Sequence, residues 1–177
     1  MTLDKADFLK WSRKYDKETG IWRQKEAELS AKLQKNKMLT PDDLVQIVEW
    51  QFKDHDAKKS KVLEAVSKND PENLGRISSQ VFNVAVAEDA YRMRSLTMLN
   101  GVSPVLASVI LAFFDPKRYG VFNKHAYCAL LGNEPPNLFT TQNYLRFLAA
   151  LRKLACKHNL DARTIEKALV AKSLNKS

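Results

Sequence analysis

Between Leu99 and Phe114 the chain reads Leu-Asn-Gly-Val-Ser-Pro-Val-Leu-Ala-Ser-Val-Ile-Leu-Ala-Phe-Phe, and no other stretch constrains the fold as strongly. Val105, Leu106, Val109, Ile110, Leu111, Phe113 and Phe114 cover every face of a helix, which is tolerated in water only when other helices surround it. The segment is therefore predicted as the central element. Before it, a helix ends in a tight glycine turn at Gly101, with Ser103 set to cap the next helix and Pro104 suited to its first position. Asp115-Pro116 stops that helix.

Helical periodicity continues on both sides. Residues 4–36 read as two helices parted near Thr19-Gly20, with Phe8, Trp11 and Tyr15 along one face and Trp22, Leu29 and Leu33 along the next. Residues 1–38 are expected to form an N-terminal helical extension packed on a core of residues 39–177, the whole being one compact unit. Thr40-Pro41-Asp42-Asp43 combines a hydroxyl cap, a first-turn proline and acids that suit the helix dipole. The charged run Asp54–Lys61 reads as a solvated loop, and its Asp-His-Asp order lacks further ligands, so no metal site is expected there. Helices are predicted at 60–68, 72–84 and 87–99, with a break at Asp70-Pro71. Beyond the central helix, Tyr119–Phe122 forms a short crossing and Asn123 or Lys124 opens a helix that runs to Leu131 and ends at Gly132. Helices from Thr141 to His158 and from Asp161 to Leu174 complete an all-α, multi-helix bundle.

Charge narrows the function classes. The formal net charge is +9, and from Val121 to Ser177 nine Lys or Arg face only three acids. Such a field favours polyanions or simply keeps the surface solvated. Two cysteines, Cys128 and Cys156, cannot ligate an iron–sulfur cluster and lack zinc-knuckle spacing, so no cofactor is expected. Neither a cationic start before an apolar block nor a long uncharged span occurs, so neither a signal peptide nor a membrane helix is expected. The cytoplasm is the expected compartment.

The run Leu99–Leu111 followed by Tyr119-Gly120-Val121-Phe122-Asn123-Lys124-His125 resembles the helix-hairpin-helix DNA glycosylase superfamily, the endonuclease III-like fold. Leu99, Gly101, Val102, Ala107, Ile110 and Leu111 match its hairpin pattern, and Val121 or Phe122 with Asn123 falls on its Val-Asp step. Asp115–Val121 and Ala162–Leu169 resemble segments of a less-characterised branch of that superfamily. Helical order extends the likeness over residues 40–172. His125 matches the family's histidine only with a slip of one residue.

The resemblance implies a DNA-repair architecture in which an aspartate stabilises a sugar cation or activates water, and in some members a lysine acts as nucleophile. Asn123 stands at the aspartate's position and Val105 at the lysine's. An amide carries no negative charge, and valine offers no nucleophile. The implied protein therefore binds double-stranded DNA through its phosphates, with little sequence selectivity, and has no base-excision activity. Gly101, Val102 and Ser103 would contact one phosphate, with Lys117, Arg118 and Lys124 around it. One alternative is a glycosylase with a rearranged acid, Asp115 or Glu134, holding a damaged base against Trp50, Tyr119 or Phe122. Another is a protein-interaction module in which the Trp11 and Trp22 helices dock a partner or a second copy. A basic stripe of Arg146, Lys153 and Lys157 lies opposite Leu148, Leu151 and Ala155 on the late helix, with Tyr144 and Phe147 nearby.

Overall fold

Polar side chains at the helix starts set much of the architecture. The computed structural model describes residues 3–83 and 88–175, and among these it has ten helices and no strand. They are α1 (Lys5–Thr19), α2 (Ile21–Asn36), α3 (Pro41–Gln51), α4 (Asp56–Val66), α5 (Pro71–Asn83), α6 (Asp89–Thr97), α7 (Pro104–Phe114), α8 (Lys124–Leu131), α9 (Thr141–His158) and α10 (Ala162–Leu174). Asp4 and Thr40 close reciprocal capping boxes with Asp7 and Asp43, and Ser103, Asn123 and Thr140 each accept a first-turn N–H. Each cap is worth about 1 kcal/mol.

The all-round apolar segment is the central helix. Leu106, Ala107, Val109, Ile110, Leu111 and Phe113 of α7 have no exposed surface, and α2, α3, α6 and α9 pack around it. Each of its large side chains gains about 1.5–3 kcal/mol from burial. α1 runs along α10, so the first two helices bring Phe8, Leu29 and Leu33 into the same apolar cluster as α7. Trp11 and Trp22 are half-buried at the edge of that cluster, with the Lys14 and Lys25 ammonium groups 5.3 and 4.8 Å from their rings. The two indoles thus pack against the edge of the bundle.

The expected loop at residues 54–61 is corrected. α4 begins at Asp56, where an acid in the first turn meets the helix dipole and Lys59 pairs with Asp56 at 2.6 Å. Its first turns are exposed and Val66 is its buried residue, so apolar periodicity had nothing to mark there. α6 starts at Asp89 rather than residue 87; residues 84–87, on which the preceding helix end and this start were expected, lie outside the described residues.

After α7 the chain turns on Asp115, whose carbonyl accepts the N–H groups of Arg118 and Tyr119. The crossing then doubles back along α7 without a ladder partner. Side chains satisfy its backbone instead: the Phe122 N–H donates to Ser108 Oγ at 2.8 Å and Tyr144 Oη donates to the Gly120 carbonyl at 3.2 Å. A Cβ on Gly120 would lie 2.6 Å from Leu151 Cδ2 and 3.0 Å from Glu166 Cβ, so any larger residue in the crossing would have to displace these side chains. This return brings Asn123 back to the N-terminal end of α7.

Candidate functional site

Three helix N-termini converge on one cleft of about 550 Å³: His55 before α4, Ser103 before α7 and Asn123 before α8 all line it. Helix starts carry unpaired N–H groups and a partial positive charge, and here Lys53, Lys58 and Lys124 add to them. Ser103 Oγ accepts from Leu106 N at 3.3 Å. Asn123 Oδ1 accepts from His125 N at 2.7 Å and Ala126 N at 3.4 Å. That oxygen is committed to its own helix, so Asn123 is a cap and not a base. His55 makes no side-chain cap. His125 meets Ser173 Oγ at 3.3 Å through Nδ1.

The glycine corner is held from behind. Gly101 sits at φ 76°, and a Cβ there would lie 2.9 Å from both Ala65 Cβ and Val66 Cγ1. Asn69 clamps the corner by accepting from Asn100 N at 2.8 Å and donating to the Asn100 carbonyl at 2.9 Å. Gly101 and Ser103 still line the cleft on their other side. Val102 does not: its side chain is buried and its N–H donates to the Leu99 carbonyl at 3.1 Å. Its expected phosphate contact is withdrawn.

Lys117 and Arg118 follow the other end of α7, about 16 Å from Ser103 at 1.5 Å per residue. Lys117 borders a separate depression with Gln34, Lys37 and Phe114. Arg118 lies 3.9 Å from Asp89 and stacks over Tyr119. They cannot flank a phosphate held at Ser103. Lys124 does reach the cleft, at the rim, where it pairs with Glu134 at 2.6 Å.

The acids are redistributed as well. Asp115 caps the far end of α7 and accepts the Arg118 N–H, and Glu134 is an exposed partner of Lys124, so neither commands the interior of the cleft. Val105 lines it and brings no reactive group. A cleft without an interior carboxylate was expected, and Glu166 overturns that: it lines the cleft beside Tyr15 and Trp50 and is 1% exposed. Glu166 Oε2 accepts from Arg163 Nη1 and, at 3.4 Å, from the Val121 N–H. Arg163 also grips Glu26 with two bonds of 2.9 Å, and Lys167 adds contacts of 3.1 Å to Glu26 and 2.9 Å to Asp16. Burial pushes the Glu166 carboxyl up, and the shared guanidinium only partly offsets it. Burial pushes Glu26 the same way, but Arg163 and Lys167 outweigh it and leave that carboxyl below its usual range. The signal for this cluster was an Arg and a Glu three residues apart within the apolar run Ala162–Ala171.

Aromatic walls complete the site. Phe122 and Trp50 are nearly fully buried, Trp50 donates Nε1 to the Trp22 carbonyl at 3.0 Å, and Phe139 stands half exposed with its ring edge-on to Phe122 at 5.4 Å. Phe139, Lys53 and Lys58 were absent from the expected set, because Phe139 lies in a loop, Lys58 was read as part of a solvated one and no motif marked Lys53. Tyr119 lies away from the cleft: its hydroxyl donates to Asp89 at 2.8 Å, and burial together with Asp89 pushes it up to about 12. Tyr144 and Phe147 are core. Arg146, Lys153 and Lys157 are exposed on the outer face of α9.

Among the described residues no cluster of His, Cys, Asp or Glu is arranged to hold a metal, and no helix is long and apolar enough to cross a membrane. Comparisons with protein-family models, curated proteins and solved structures return no match.

Proposed function

We propose that the chain is a DNA-binding protein of helix-hairpin-helix glycosylase-like architecture, which grips duplex phosphates at the cleft and does not excise bases. The observation that carries this reading is the convergence of the α4, α7 and α8 N-termini with Lys53, Lys58 and Lys124 on one cleft. Helix starts with flanking lysines favour a phosphate oxygen through both dipole and charge. Such contacts hold backbone without reading bases, so affinity is nearly independent of sequence. Gly101, Ser103 and Lys124 remain from the set expected by resemblance, with Lys53 and Lys58 in place of Lys117, Arg118 and Val102.

Fluorescence anisotropy of a labelled duplex at rising salt tests the reading. If each of the three lysines neutralises one phosphate, log affinity falls against log salt with a slope of about −3. Absence of duplex binding at low salt overturns it.

A second reading, base excision, draws on the buried Glu166 carboxyl in the cleft. Incubation with duplexes carrying uracil, alkylated purines, oxidised purines or an abasic site separates the two. Release of free base that is lost in Glu166→Gln selects excision, and no base release from any of these duplexes selects binding alone.

A further inference from the structure

The buried charges behind the cleft take no part in phosphate binding, yet they touch its wall. Arg163 is 3% exposed and borders the depression between α1, α2 and the start of α10, not the cleft. Three residues that do line the cleft rest on it. Its guanidinium carbon lies 5.5 Å from the ring centroids of both Tyr15 and Trp50, and its Nη1 donates to Glu166 Oε2. The same Oε2 accepts the Val121 N–H at 3.4 Å, so one oxygen joins Arg163 to the crossing between α7 and α8. Lys124, the rim lysine, follows Val121 by three residues.

What fixes Arg163 comes from a distant part of the chain. Glu26 of α2 accepts Nε and Nη2 at 2.9 Å each, which leaves Nη1 for Glu166. A planar guanidinium gripped by two parallel bonds has little freedom to turn toward another carboxylate. Without the Glu26 charge it would turn to Glu166 and draw Oε2 off the Val121 N–H. No residue of α2 lines the cleft, so its hold on the crossing runs through Arg163.

We infer that Glu26 and Arg163 are positioning residues for the phosphate site: α2, through Arg163 and Glu166, fixes the crossing and with it the placement of Lys124. This rests on the DNA-binding reading above. α2 thus serves the site without touching it.

The test compares two variants of the full chain, each lacking one carboxylate of the network. Glu26→Gln releases Arg163, whereas Asp16→Asn breaks the 2.9 Å pair with Lys167 and leaves the bonds of Arg163 in place. In Glu26→Gln the Val121 amide should exchange its hydrogen about tenfold faster relative to the amides of α7, and in Asp16→Asn at the wild-type ratio. The salt slope of duplex affinity should flatten by about one in Glu26→Gln, as for Lys124→Ala, and keep the wild-type value in Asp16→Asn. In a Lys124→Ala background Glu26→Gln should flatten it no further. Where Glu26→Gln fails to fold, Glu26→Met combined with Arg163→Met replaces the pair without stranding a charge and should give the same two effects. A wild-type exchange ratio at Val121 without the Glu26 carboxylate, or equal changes on loss of Glu26 and of Asp16, overturns the inference. An additive loss of slope in the Lys124→Ala background also overturns it and leaves the DNA reading intact. Faster Val121 exchange in a protein that binds no duplex upholds the hold of α2 on the crossing and rejects the DNA reading.

Discussion

Glu26 and Glu166 share one guanidinium and respond to it in opposite directions. Glu26 takes two bonds from Arg163 and a contact from Lys167, and its carboxyl is lowered; Glu166 is more completely buried with fewer donors, and its carboxyl is raised. The stability Glu26 supplies is present above the ordinary carboxylate range and is lost as pH falls through its lowered native value. Glu166 works the other way: its contribution is present below the ordinary range and is lost as pH rises through its raised value. At pH 7, Glu26→Gln should cost about 3–5 kcal/mol in urea melts, as for other broken buried pairs. Glu166→Gln should cost clearly less; equal losses would contradict this division. The cap at Ser103 was legible because a cap is decided within four residues; Asn123 was read only as the start of its helix or the aspartate's stand-in, and its capping role came from the structure. Arg163 and Glu26, 137 positions apart, were not legible. The Gly101 corner was legible as a turn, but its packing on Ala65 and Val66 was not. Gly101→Ala should destabilise by at least about 1–2 kcal/mol through strain at positive φ and the clash with α4.

At the scale of elements, the crossing between α7 and α8 decides where the site forms. Its buried Phe122 N–H depends on Ser108 Oγ. Ser108→Ala leaves that donor unmet and should cost about 1–3 kcal/mol. An unchanged melting midpoint would mean the crossing is held by packing alone. α7 was revealed because it is apolar on every face, and α9 because it turns a continuous apolar stripe to the core. The start of α4 was hidden because it is all charge, whereas the helix predicted at 60–68 caught its apolar end at Val62, Leu63 and Val66. Lys117 and Arg118 were placed with the hairpin for their nearness to α7 in sequence. A helix separates its two ends, and they follow the wrong one.

Across the whole molecule, a formal charge of +9 is expressed less by its total than by where helix dipoles and lysines coincide. The outer stripe of α9 adds to the general field, whereas the cleft adds direction, an aromatic wall and a buried carboxyl. The measurement that tests this most directly is the salt dependence of duplex affinity in four single variants. Lys58→Ala and Lys124→Ala should each flatten the slope by about one while Lys117→Ala and Arg118→Ala leave it near the wild-type value. Equal flattening in all four, or flattening confined to Lys117 and Arg118, would contradict the assignment of the cleft as the DNA-binding site.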